Sequence, residues 1–131
     1  MSVEEGGGGT IRVLLADDDR AFLESLTVLI ERQPDLSVVD TALDGLAAIE
    51  LVEELQPDAV VIDLHMPLVD GVTAVARLRR DHASMCILAL TGDVHPALHQ
   101  AVMDAGADAV LVKDEFVETL VERLAAAKAA V

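Results

Sequence analysis

Tyrosine and tryptophan are absent and phenylalanine occurs twice, so an interior has to be assembled from Leu, Val, Ile and Ala. Cys86 is the only cysteine, which excludes a disulfide framework or a multi-cysteine zinc site. Set in an apolar run, it reads as a small packing residue. Basic residues are scarce as well: nine Lys and Arg stand against 24 Asp and Glu, a formal net charge of −15. That balance excludes nucleic-acid binding driven by phosphate neutralisation and adhesion to an anionic membrane. It suits a basic partner surface, a bound cation, or plain solvation, and solvation is the ordinary role for most of the acids. No apolar stretch is long enough to cross a bilayer, and the first residues lack the basic-then-apolar order of a signal peptide, so a cytoplasmic protein is expected.

What is present is a chain of 131 residues, 53% of them apolar, the size and composition of one packed domain. Residues 1–10 read as a tail in which Gly6–Gly9 forms a flexible linker. These glycines precede the first apolar run instead of following a strand, and no Gly-Lys-Ser/Thr closes them, so they do not form a phosphate-binding loop. The folded part is expected over 11–128, with 129–131 as a short tail.

Within it, short apolar runs alternate with segments of helical period. The runs Ile11–Ala16, Leu36–Ala42, Ala59–Ile62, Ile87–Leu90 and Ala109–Val112 read as strands. Three of them (IRVLLA, AVVI, ILAL) are almost continuously apolar, as strands buried on both faces of a parallel sheet must be. Between them lie one-sided stripes: Phe22, Leu23, Leu26, Leu29 and Ile30; then Leu46, Ile49, Val52 and Leu55; then Ala74, Val75 and Leu78. Leu98, Ala101, Val102 and Ala105 follow, closed by Gly106, and Val117, Leu120, Val121 and Leu124 mark a fifth helix. Five strands alternating with five helices predict an α/β fold, (βα)5, a doubly wound parallel sheet with helices on both faces.

In such a sheet ligands bind beyond the carboxyl ends of the strands. Asp17, Asp18 and Asp19 follow the first strand, Asp63 the third, Thr91 and Gly92 the fourth, and Lys113 the fifth. Taken singly, Asp or Thr after a strand is an ordinary helix cap and Lys a solvated cation; Asp19 suits a cap best. Together they crowd one rim. Three carboxylates about 5 Å apart, at an effective dielectric near 20, repel by roughly 3 kcal/mol per pair. Protonation, separation or a cation must relieve that, and a hard divalent ion such as Mg2+ does so most directly. An Asp carboxylate beside such an ion is a competent nucleophile toward phosphorus. Lys113 and the Thr91 hydroxyl could bind the other phosphoryl oxygens, and the small Gly92 leaves room for them.

The segments RVLLADD (Arg12–Asp18), VVIDLHMPLVDG (Val60–Gly71), LALTG (Leu88–Gly92) and AGADAVLVKD (Ala105–Asp114) occur in order, each at a strand end. In these the chain resembles the receiver domain of two-component response regulators, from about Ile11 to Lys128. PDLSVVDTALDG (Pro34–Gly45) and the pair Lys113–Asp114 are similar to the NarL/FixJ type, whose receivers usually precede a DNA-binding domain. The resemblance implies the flavodoxin-like strand order 2-1-3-4-5, Asp63 as phospho-acceptor, and Asp17, Asp18, Asp63 and the backbone carbonyl of His65 as Mg2+ ligands. It makes Thr91 the switch hydroxyl and Lys113 its partner at the phosphoryl group. It further implies a phosphoryl donor (a sensor histidine kinase or phosphotransfer protein), an output domain or effector controlled in transcription regulation, and self-catalysed phosphorylation and dephosphorylation without enzymatic turnover. The output face is then the fourth helix, fifth strand and fifth helix, with a homodimer through the first or last helix as the alternative. His65 and Asp93 occupy positions that tune phosphoaspartate hydrolysis. One departure stands out: Val110 takes the place where many receivers carry an aromatic ring.

Three other readings compete with this one. An Asp-nucleophile phosphohydrolase needs Asp-x-Asp-Gly-Thr/Val, but Arg20 and Ala21 follow Asp19. A degenerate receiver that works without phosphorylation has only Val110 in its favour. A DNA-binding protein fails on charge. His95 and His99, spaced i, i+4, suit a metal only with a third ligand, which is missing, so they read as a solvated helix start; His82 reads as part of a turn.

Overall fold

The computed structural model describes residues 10–92, 95–113, 119–120, 122–124 and 126. The glycine tail, Asp93, Asp114, Val117 and Val121 lie outside the described residues. The elements run β1 (Ile11–Ala16), α1 (Arg20–Glu31), β2 (Leu36–Ala42), α2 (Gly45–Leu55), β3 (Ala59–Asp63), α3 (Gly71–Asp81), β4 (Cys86–Thr91), α4 (Pro96–Ala105) and β5 (Ala109–Val112). Residues 119–120, 122–124 and 126 are helical and belong to the fifth helix. All strand pairs are parallel, in the order β2-β1-β3-β4-β5. This is the flavodoxin-like receiver fold.

Three strands begin and end where the sequence places them. The other two are longer: β3 takes in Asp63, and β4 takes in Cys86 and Thr91. Ladder partners set those limits, because Asp63 lies opposite Leu90, Cys86 opposite Ala59, and Thr91 opposite Val112. Backbone pairing in a sheet overrides the polarity of a terminal residue.

Side chains alternate across a strand, and here the alternation separates two cores. Val13, Leu15, Val61, Leu88 and Leu90 pack with Leu23, Leu26 and Ile30 of α1 and with Leu120 and Leu124. Leu14, Val60, Ile62, Ile87 and Ala89 pack with α2, α3 and Val102 of α4. The stripe expected on α3 is buried throughout, and on α1 Leu23, Leu26 and Ile30 are buried while Phe22 and Leu29 are half-buried. On α2 the buried positions are Gly45, Ala48 and Val52, while Leu46 is exposed. Small residues let that helix close on the sheet, and the bulkier leucine at its first turn is left outside.

Aspartates cap three of the helices. Asp19 accepts from Phe22 N–H, Asp44 from Ala47 N–H and Asp70 from Thr73 N–H, each satisfying a donor the first turn leaves unpaired. By contrast α4 starts at His95 with no side-chain cap, has Pro96 in its first turn, and fully buries only Val102. Two glycines hold the β3–α3 loop against its neighbours. A Cβ on Gly71 would sit 2.6 Å from the Leu64 Cα, and one on Gly45 would sit 2.6 Å from the Val69 carbonyl oxygen. Both contacts are with backbone, so the added atom has no flexible neighbour to displace. Gly71→Ala is expected to lower stability by about 1–3 kcal/mol through this overpacking, read as a lower urea midpoint with an unchanged denaturant slope.

Candidate functional site

The expected residues meet at the carboxyl rim. Asp17 follows β1, and its N–H donates to the Ala42 carbonyl (3.0 Å), extending the ladder one step past the strand. Asp63 closes β3, and Leu64 N–H donates to the Leu90 carbonyl (2.9 Å). Lys113 N–H donates to the Thr91 carbonyl (2.8 Å), which ties the end of β5 to the end of β4. Asp17, Asp63 and Thr91 are all buried; Asp18 is exposed. Carboxylate oxygens of Asp17, Asp18 and Asp63 lie within 4.8 Å of one another.

The Lys113 ammonium holds this cluster together. Its Nζ is 2.6 Å from Asp17 Oδ2 and 3.4 Å from Asp63 Oδ2. It also stands 4.6 Å above the centre of the Phe22 ring, a cation–π contact of a kind worth about 0.5–2 kcal/mol. Desolvation pulls the Lys113 pKa down, but the facing carboxylates of Asp17 and Asp63 outweigh it, and the net shift is upward. Burial pushes the Asp63 carboxyl above its ordinary range. The His65 N–H donated to Asp63 Oδ1 (3.2 Å) opposes that shift, the Asp17 charge adds to it, and Lys113 counters it.

Asp17 is held by a bond from Asp19 N–H to its Oδ1 (2.9 Å). Its Oδ2 is buried, with the Lys113 ammonium 2.6 Å away as its partner. Burying carboxylate charge is costly unless it is compensated, and Asp17 faces two further carboxylates, those of Asp18 and Asp63. These donors are hard oxygens on a rim, the chemistry Mg2+ prefers, so the residues present fit that ion.

Alternation past the strand ends gives these groups different sides. Asp17, Asp63 and Lys113 continue the positions that face α1, which is why Phe22 reaches Lys113. Thr91 continues the positions that face α4. It lines a cavity of about 360 Å3 with Leu64, Leu98, His99, Val110 and Val112. His65 is exposed in the turn after Asp63, with its N–H directed back at that carboxylate.

His95 and His99 are exposed, and among the described residues the Asp17–Asp18–Asp63 group is the one cluster suited to a metal. His82 is more than a turn residue: it ends α3, with Nε2 3.4 Å from Glu53. Cys86 is half-buried, and burial pushes its thiol up to about 11, the behaviour of an inert packing residue. Two contacts had no sequence signal. Phe22 reads as one more member of the apolar stripe on α1. Arg79 donates to the carbonyls of Gly106, Ala83 and Met85 and pairs with Asp108 at 2.8 Å.

Residues 13–125 match the response regulator receiver domain family. The chain is 40% identical to the transcriptional regulatory protein PrrA of Mycobacterium leprae, over 92% of its own length and 51% of that protein's. It is 38% identical to a protein-glutamate methylesterase/protein-glutamine glutaminase of Anaeromyxobacter dehalogenans, over 82% of its length and 31% of that protein's. It thus spans about half of the first of these curated relatives and about a third of the second. The signal receiver domain of NarL from Mycobacterium tuberculosis superposes with a TM-score of 0.87 at 27% identity, covering 94% of this chain and 99% of that one.

The pH dependence of stability follows from Asp63. Its folded pKa lies above 3.8, so between 3.8 and the raised value the native state binds more protons than the unfolded chain. Stability therefore falls as pH rises through that window. Without divalent cations, Asp63→Asn is expected to melt higher than wild type at neutral pH, with the difference shrinking as pH falls below the window. Thermal unfolding at a series of pH values measures it.

Proposed function

The chain belongs to the response-regulator receiver family, and we propose that it is a phosphorylation switch whose acceptor is Asp63. The observation that carries this is the pairing of buried Asp63 with a lysine ammonium and two neighbouring acidic groups on one rim. The unit doing this is taken as 11–128, working in the cytoplasm.

In this reading an Asp63 carboxylate oxygen attacks the phosphorus of a phosphohistidine on a sensor kinase or phosphotransfer protein. The O–P bond forms as the P–N bond breaks, and the imidazole leaves. Asp17, Asp18, Asp63 and the His65 carbonyl would hold Mg2+, which supplies positive charge against the phosphoryl oxygens. The chain's own residues do the rest. Lys113 already stands between Asp17 and Asp63 and shifts its charge onto the new phosphoryl oxygen. The His65 N–H fixes one Asp63 oxygen while the other is engaged by Lys113. Water later attacks the phosphorus of the acyl phosphate, the P–O bond to Asp63 breaks, inorganic phosphate leaves and the carboxylate is restored, which resets the switch.

Thr91 links the site to the rest of the molecule because it faces α4 while Asp63 and Lys113 face α1. A hydroxyl drawn toward the phosphoryl group leaves the wall of the 360 Å3 cavity. That cavity lies beside α4, a helix with no side-chain cap and a single fully buried residue. Val110, half-buried in the same wall, gives the space a small side chain. Moving an equilibrium from 1:99 to 99:1 takes about 5.5 kcal/mol of differential interaction, and a few charge-assisted hydrogen bonds at about 1.5–3 kcal/mol each supply it. The face that changes is α4, β5 and the fifth helix, read by an output domain or effector in transcriptional control.

Intact mass after incubation with acetyl phosphate tests this. Wild type is expected to gain one phosphoryl group only with Mg2+, and Asp63→Asn to gain none. Thr91→Ala should still be phosphorylated but lose the phosphorylation-dependent change in α4 amide exchange. No adduct on wild type with Mg2+ demonstrably bound would leave a partner-binding module in place of a switch.

A further inference from the structure

Leu68 lies five residues beyond Asp63 in the β3–α3 loop, and its backbone has φ +76°. Val69 N–H donates to the Pro67 carbonyl at 3.0 Å across it. An i→i+2 bond around a positive φ is the rarer, strained form of γ-turn. Glycine or asparagine carries such a conformation cheaply, and a bulky side chain does not. The leucine gains little from its own fold in return, since it is 75% exposed, the largest exposure among the large apolar residues described.

A single exposed leucine needs no explanation, but this one has company. Gly45 N–H bonds to the Pro67 carbonyl at 3.4 Å, and Leu46, the residue after Gly45, is 42% exposed. Leu46 and Leu68 each follow one partner of that bond, so both belong to one shoulder of the rim. A backbone strain and an uncovered apolar pair thus coincide beside the acceptor.

The reaction specifies what covers them. Asp63 is 3% exposed, so a protein that delivers a phosphoryl group must bring its imidazole down into the rim and lay its surface over the surrounding loops. A phosphohistidine is anionic and this chain carries a net charge of −15, so long-range charge does not favour approach of the reacting groups. Desolvated apolar contact next to the reacting groups then adds adhesion there, acting mainly on the lifetime of a complex. We propose that Leu68, with Leu46 beside it, is the apolar anchor for the protein phosphodonor, seated against an apolar surface next to the donor's histidine. The inference rests on Asp63 being the acceptor.

The test compares two donors on the full chain. One is acetyl phosphate, too small to touch Leu68. The other is the fastest donor from a panel of radiolabelled, autophosphorylated histidine-kinase catalytic cores. Leu68→Asn is expected to melt a few degrees higher because strain is relieved, to accept from acetyl phosphate at the wild-type rate, and to accept from the kinase about tenfold more slowly. Leu68→Met should keep wild-type transfer, and Leu46→Gln should slow only the kinase reaction. Wild-type kinase transfer in Leu68→Asn, or equal losses with both donors, would overturn the anchor. So would a wild-type protein that takes phosphoryl from acetyl phosphate but from no kinase. Failure of wild type with acetyl phosphate itself would instead remove the proposed function beneath it.

Discussion

The rim depends on one cation. Asp17 and Asp63 are buried at the ends of adjacent strands, and at separations under 5 Å two ionised carboxylates repel by about 3 kcal/mol. Lys113 lies within ion-pair distance of both. Its ammonium is held in turn by the Phe22 ring and by a backbone tie from Lys113 to Thr91. Removing that charge would leave the carboxylates to protonate or separate. Supplying further positive charge, as a divalent ion does, frees the lysine to engage something else. The pocket is anionic and is balanced by the Lys113 ammonium.

The sheet turns this local balance into something the molecule can transmit. Because side chains alternate, the groups that hold the charge face α1, whereas Thr91 faces α4. The α1 side is tightly filled by Leu23, Leu26, Ile30, Leu120 and Leu124. On the other side, α4 contributes one fully buried residue and borders a cavity. A perturbation at the rim meets resistance on the first side and slack on the second. In the proposed switch, the side of α4 is the one that yields. The loop after Asp63 is the opposite case, closed by two glycines against backbone, and it holds its strained leucine in place.

The strands, the helical stripes of α1 and α3, and the capping role of Asp19 were legible in the amino-acid order, because burial imposes a period of two or 3.6 wherever it acts strongly. Where it acts weakly the reading failed. Leu46 belongs to the apolar stripe of α2 by period, yet it lies outside, because close approach of the helix selects Gly45 and Ala48 instead. Leu98, Ala101 and Ala105 have the right spacing on α4 but are only half-buried. Strand ends at Asp63 and Thr91 were one residue short, since a polar residue in a ladder is settled by its partner strand.

Amino-acid order alone was enough for the fold class and for the candidate set Asp17, Asp18, Asp63, Thr91 and Lys113. In a doubly wound sheet, a residue's place just after a strand is enough to put it on the functional rim. How those residues relate to one another emerges once the chain is folded. Ion pairs, the Phe22 ring over Lys113, the Arg79 network and the exposed shoulder of Leu46 and Leu68 join residues far apart in the chain. Such contacts depend on side-chain direction and distance, which no local period encodes.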